Sequence, residues 1–154
     1  MPLDEQLTTN YSCSMQTSKP TKLFHCTHLL CYQYVFVTQG RRKCLTDEMI
    51  DRLRDIIHGM FADYGGLLEL KGEPDCIQFQ LRLNPASAPS VVANTVKTIT
   101  SRLLRRDFPG HFEKVGRKPT VWSSDYFVAS AGRVTQSVIE TYIASQEKAG
   151  YVSE

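Results

Sequence analysis

No apolar stretch of this chain approaches the ~18 residues that a membrane-spanning helix needs, so a membrane protein of that kind is not expected. Cys-x-x-Cys is absent, and so are Gly-x-Ser-x-Gly and any glycine-rich loop able to cradle phosphate, which removes the chemistries those motifs carry. The opening MPLDEQLTTN has acids where a signal peptide has bases, and it lacks an apolar core. Cysteine occurs five times, an odd number at irregular gaps, in a chain large enough not to need stapling. That predicts reduced thiols and a cytoplasmic setting. His25, Cys26 and His28 have no second pair at finger spacing, so structural zinc is not expected. An excess of one charge is also missing. With 18 Lys+Arg against 16 Asp+Glu the net charge is +2, and only its distribution can inform on partners.

What is present describes one α+β domain. At 154 residues a single core is the default, able to bury roughly 68–70% of the surface the unfolded chain exposes. A hydrophobic content of 42% with 22% charged residues speaks against disorder throughout. Residues 1–22 are rich in Ser, Thr, Asn and Gln and read as a flexible arm, leaving 23–150 for the domain. Residues 30–38 are aromatic and β-branched and read as a strand that ends in a basic turn. Thr46 can cap the next helix, with Asp47 and Glu48 at the positive end of its dipole. Met49, Ile50, Leu53, Ile56, Ile57, Met60 and Phe61 repeat at helical spacing toward Tyr64, and Gly65-Gly66 ends the run.

The segment 67–71 reads as a strand, and Gly72 to Asp75 as a turn. Strict alternation follows: Ile77, Phe79, Leu81 and Leu83 on one side, Cys76, Gln78, Gln80 and Arg82 on the other. The spacing predicts one core face and one polar face. Pro89 suits the first turn of a second helix, with a stripe of Val92, Val96, Ile99 and Leu103, and Phe108-Pro109-Gly110 stops it. A strand over 126–130 and a last helix from about Thr135 to Lys148 complete the order β-α-β-β-α-β-α. Apart from the final helix, this is the ferredoxin-like split β-α-β arrangement.

Two features suggest chemistry. Lys97, Arg102, Arg105, Arg106, Lys114, Arg117 and Lys118 crowd one segment against only Asp107 and Glu113, and Arg41, Arg42 and Lys43 form a second knot. Clustered cations release counterions from a nucleic-acid backbone, although a solvated helix face looks the same in sequence. Cys76 and Gln78, two apart on a strand, project on one side and can present a metal or a substrate; a covered sheet face is the blander alternative. Tyr142 and Gln146 share a face of the last helix, where a tyrosine more often packs with its hydroxyl at the rim.

Taken together, these segments resemble the small single-domain HUH tyrosine transposases of insertion sequences. YQYVFVTQGRRK is similar to that family's opening strand, and GEPDCIQFQL sits where the family has Pro-Asp-His-hydrophobic-His. VKTITSRLLRRDFP resembles its Leu-Lys-Gly-x-Ser-Ser-Arg helix followed by Phe-Pro. VWSSDYFVASAGRV resembles its Leu-Trp-Ser…Tyr-Phe-Val strand and turn, and VIETYIASQ its closing tyrosine helix. The resemblance spans roughly Tyr32 to Gln146.

It implies a homodimer that binds DNA hairpins and cuts single-stranded DNA through a covalent 5′-phosphotyrosine. A divalent ion, Mg²⁺ or Mn²⁺, polarises the scissile phosphate in that family. On this resemblance Tyr142 is the nucleophile, and Cys76, Gln78 and Gln146 occupy the metal positions. Arg41, Arg42, Lys97, Arg102, Arg105 and Arg106 are the expected DNA contacts. Both family histidines are replaced, by Cys76 and Gln78, and Gln33 stands where relatives often have His. A thiolate is a soft ligand, whereas Mg²⁺ and Mn²⁺ prefer oxygen. Strand parity points Glu73 and Asp75 away from Cys76 unless the Pro74 turn rotates one in. Three outcomes therefore follow: a working transposase with an altered metal site, a hairpin-binding derivative with impaired cleavage, or a ferredoxin-like interaction domain.

Overall fold

The computed structural model describes residues 20–23, 25–64, 66–115, 121–132 and 135–149. Of the expected arm, 1–19 lies outside the described residues, and Thr21 and Lys22 already belong to a short strand. Strands β1 (Thr21–Leu23) and β2 (Cys26–His28) form a small antiparallel hairpin ahead of the main sheet. The main sheet contains β3 (Leu30–Val37), β4 (Leu67–Glu73), β5 (Cys76–Leu83) and β6 (Phe127–Ser130), in the order β4-β5-β3-β6. Every neighbouring pair is antiparallel. Among the described residues, four α-helices accompany it: α1 (Asp47–Met60), α2 (Pro89–Asp107), the short α3 (Pro109–Val115) and α4 (Gln136–Ala149). The expected α+β class and its split β-α-β core are therefore present.

Local chemistry accounts for most of these elements. The Thr46 side chain accepts from the Met49 amide at 3.3 Å, and Asp47 and Glu48 occupy the first turn of α1. Met49, Ile50, Leu53, Ile56 and Ile57 are the buried stripe. The helix ends at Met60, short of Tyr64, and a 3₁₀ turn over Ala62–Tyr64 takes up the remainder. Gly66 then adopts φ 75°, a left-handed conformation that glycine tolerates without steric cost. One face of the main sheet packs Tyr34, Phe36, Ile77, Phe79 and Leu81 against residues of α1 and α2. Tyr34 stacks on Phe79 at 5.2 Å and Phe36 meets Phe79 edge-on at 5.0 Å, so the aromatic centre lies over paired strands.

One expectation needs correction. The inward side of α2 is Val92, Ala93, Val96, Thr100, Ser101 and Leu104; Ile99 and Leu103 are only half-buried. Apolarity alone misread this face because two hydroxyls are used there. Thr100 Oγ1 accepts from the Trp122 indole at 2.8 Å, and Ser101 Oγ accepts from the Val121 amide at 3.3 Å. As expected, α2 stops at Phe108-Pro109-Gly110, and a separate short helix follows. Phe108 caps α2, with its amide on Leu104 O, and Pro109 opens α3, a position where its missing N–H costs nothing. The polar side of β5 is a covered face: Cys76, Gln78 and Gln80 are all buried. The final helix, α4, packs over the Cys76 end of that face. Among the described residues, no helix is long and apolar enough to cross a membrane.

Candidate active site

The second face of the sheet carries odd-numbered residues of β3 and even-numbered residues of β5, since Val35 pairs with Gln78 and Val37 with Cys76. Val35, Val37 and Cys76 form a cluster with Ile139 and Ile143 of α4, and Phe127 and Tyr142 pack against it. The helix spacing Ile139, Tyr142, Ile143, Gln146 is thus read out in space: two aliphatic residues anchor α4 to the sheet and two polar residues are brought down with them.

The Tyr142 ring lies 5.4 Å from Phe127, and its hydroxyl is buried without a hydrogen-bond partner among the described residues. Burial, and secondarily the negative Asp125, push its phenol up to about 12. The Gln146 carbonyl oxygen accepts from Ser123 Oγ at 3.1 Å. Ser123 in turn donates its amide to Val37 O, and Thr38 bridges to Trp122. The 121–123 segment therefore flanks the end of β3 on the side opposite β5. Ser123 had no place among the expected site residues, because only the return of α4 brings a partner to it.

At the end of β5 the turn does what strand parity alone did not predict. Glu73 stands directly opposite Cys76 in the β4–β5 ladder and Asp75 joins them from the turn, so that one ligand atom from each of the three lies within 4.8 Å of the others. Glu73 Oε2 is 3.7 Å from Cys76 Sγ. The turn is stitched in place: Thr38 N and Thr38 Oγ1 donate to Asp75 O at 2.9 and 3.1 Å, and Leu45 N donates to Pro74 O at 2.9 Å. Arg41, held at φ 51° just after Gly40, donates Nε to Asp75 Oδ2 at 3.1 Å. Cys76 is 1% exposed, and burial, reinforced by Glu73 and Asp75, pushes its thiol up to about 12. The thiol is therefore protonated at neutral pH, and only a tightly held cation would displace that proton. Two carboxylates and a sulfur at this separation can close on one divalent ion, whose ligands stand about 2.0–2.3 Å from it. Further along the same face lie Gln78, Gln80 and Gln33, all buried; Gln80 has neither amide atom hydrogen-bonded among the described residues.

The expected DNA contacts separate into two groups. Arg102 and Arg106 of α2 face solvent, as does Arg42, and Arg106 Nε also reaches Asp107 at 3.0 Å. Asp107 is shared with Arg52 at 2.8 Å, and these two guanidinium groups hold its carboxyl below the usual carboxylate range. Arg105 is half-buried, with its guanidinium 5.4 Å from the Phe112 ring centre. Lys97 does something else. Its three ammonium donors are used on Ser123 O, Ser124 O and Asp125 O at 2.9, 2.9 and 2.8 Å. An expectation of Lys97 as a phosphate contact is therefore at odds with the structure, because its donors are already committed. Arg117 and Lys118, and the Lys114 side chain, lie outside the described residues.

Comparison with known proteins identifies the family. The chain is 24% identical over 116 residues to the ISDra2 transposase TnpA of Deinococcus radiodurans, covering 75% of this chain and 82% of that one. It also superimposes on a crystal structure from Deinococcus radiodurans R1, provisionally assigned as a transposase, with a TM-score of 0.73 and 25% identity. That match covers 82% of this chain and 97% of the other. The sequence pattern of IS200-like transposases matches residues 26–146, from the β2 strand through Gln146 on α4, and this chain belongs to that family.

Proposed function

We propose that this transposase binds hairpin or single-stranded DNA as a homodimer, and cuts it by attack of Tyr142 Oη on a backbone phosphorus. The new O–P bond gives a 5′-phosphotyrosine; the P–O3′ bond breaks, and in net balance the phenolic proton passes to the departing 3′ oxygen. The observation that carries the reading is the packing of α4, which brings Tyr142 into the same side-chain cluster as Cys76. The two halves of the motif that resembles HUH transposases, distant in sequence, are thereby adjacent. The buried, unpartnered hydroxyl supports a group kept for a reaction rather than for a fixed hydrogen bond.

A divalent ion would be held at Cys76, with Gln78 and Gln146 from the resemblance and with the Glu73 and Asp75 carboxylates that the turn adds. Bound there, it would withdraw charge from the scissile phosphate. The mixed sulfur and oxygen donors favour Mn²⁺ or Zn²⁺ over Mg²⁺. Arg102 and Arg106 on α2, with Arg41, Arg42 and Arg105, provide the positive surface for the DNA backbone.

One observation favours a second reading. With its thiol pushed up to about 12, Cys76 is a weak metal ligand unless the ion is thiophilic, which suits a hairpin-binding derivative of reduced cleavage. End-labelled hairpin DNA, incubated with Mg²⁺, Mn²⁺ and Zn²⁺ in parallel, separates the two. A covalent adduct lost in Tyr142→Phe supports the transposase reading. Salt-sensitive binding without an adduct in any metal supports the derivative. Neither binding nor adduct across a broad panel of hairpins overturns both.

A further inference from the structure

We infer that Lys97 is a positioning residue of this site, whose ammonium group gathers the 123–125 loop and so sets the groups that this loop presents to Tyr142 and Gln146. The inference rests on the transposase reading for its functional meaning, but not for its geometry.

The carbonyls of Ser123, Ser124 and Asp125 are consecutive, and all three point at one atom, Lys97 Nζ, at 2.8–2.9 Å. Consecutive carbonyls of an extended segment alternate in direction, so their convergence places three negative ends together and requires a cation at the focus. Lys97 provides three donors for three acceptors, leaving none unused. Its position is further defined by two rings, Phe36 and Tyr126, whose centres are 5.7 and 5.2 Å from Nζ. Partial burial lowers its pKa, and the neighbouring Asp125 opposes that fall.

The gathered loop is the one that meets α4. Ser123 Oγ donates to Gln146 Oε1 at 3.1 Å, and the Asp125 charge acts on both Lys97 and Tyr142. Lys97 itself belongs to α2, whose buried side contributes to the core on the opposite face of the sheet. The lysine thus ties the core helix to the loop under the tyrosine helix. Clustered basic charge near Lys97 in sequence suggests a phosphate contact instead, and the two roles predict different results.

The test uses full-length protein carrying Lys97→Met, which keeps the aliphatic stem, and Lys97→Arg, whose planar fork cannot bring three donors to one point. Two-dimensional NMR follows the Gln146 side-chain amide and the Ser123 backbone amide, with Leu53 and Phe79 amides as core controls. Expected in Lys97→Met are displaced Gln146 and Ser123 signals, unmoved core signals, and adduct formation slower by about 10²-fold, the usual effect of a misplacement near 1 Å. The salt slope of hairpin binding stays as in wild type, whereas Arg102→Ala lowers it by about one unit. Lys97→Arg recovers part of the adduct rate. Ser123→Ala, which leaves the carbonyl cage whole, displaces the Gln146 signal by removing its hydroxyl partner, and Lys97→Arg covers the case in which Lys97→Met does not fold. Unmoved Gln146 signals in Lys97→Met, or in Lys97→Arg should Lys97→Met not fold, or a salt slope reduced by one in Lys97→Met, would overturn the inference. Wild type that forms no adduct, while Lys97→Met still moves Gln146, overturns the transposase reading and leaves the Lys97 linkage in place.

Discussion

Thr100→Val tests the contact that joins α2 to the segment leading into the site. Thr100 and Trp122 are 0% and 1% exposed, and the indole N–H donates to Thr100 Oγ1 at 2.8 Å. The threonine hydroxyl donates its own proton to Val96 O at 2.6 Å, so it links helix backbone to indole. Valine keeps the shape but leaves the indole N–H without an acceptor in a place water does not reach. Stranding a buried donor costs about 1–3 kcal/mol, and the added methyl, worth about 0.8 kcal/mol when buried, offsets part of it. A net loss of about 0.2–2 kcal/mol lowers Tm by up to roughly 8 °C in a chain of this size. Trp122 is the single tryptophan, so urea unfolding followed by its emission reports on this site directly. With an m-value of ~2 kcal/mol/M the midpoint falls by about 0.1–1 M, with m unchanged. Thr100→Ser, which retains the acceptor, should keep the native emission maximum. A Thr100→Val midpoint equal to wild type, with the emission unshifted, would show that the hydrogen bond contributes nothing and refute this account of the polar face of α2.

Tyr142 should titrate near 12 against an ordinary tyrosine value of 10.0. Because the folded pKa is raised, its stabilising contribution is full below pH 10 and is lost as pH rises through about 12. Alkaline difference absorbance against Tyr142→Phe measures this, Asp125→Asn should lower the midpoint, and a wild-type midpoint at or below 10 contradicts the burial argument. A Cβ on Gly72 would stand 2.7 Å from three Ile50 side-chain atoms, so Gly72→Ala should cost about 1–3 kcal/mol by overpacking. Adding Ile50→Val should recover part of that loss in chemical denaturation; equal stability of Gly72→Ala and wild type would falsify the predicted clash. Cys76→His with Gln78→His should raise adduct formation in Mg²⁺ or Mn²⁺, and an unchanged rate in every metal would place the limiting defect elsewhere.

Much of this protein was legible in the chain itself. Periodicity set the helix from Asp47 and the alternating strand from Cys76, because a 3.6 or 2.0 repeat of apolar side chains depends only on local backbone geometry. The capping threonine, the proline opening α2 and the β-α-β-β-α-β order followed from the same local rules. The family resemblance was likewise carried by short segments in sequence order. Other properties depended on long-range return of the chain. That Gln78 and Gln80 are buried, that Thr100 and Ser101 face inward, and that Lys97 serves three backbone carbonyls required partners 20 or more residues away. The approach of Glu73 to Cys76 came from the β4–β5 register, and that of Asp75 from a turn held by Arg41, Thr38 and Leu45. Sequence pattern decides which face of an element is apolar; what a polar side chain binds is decided only when the core has packed and desolvation favours pairing of most buried donors and acceptors.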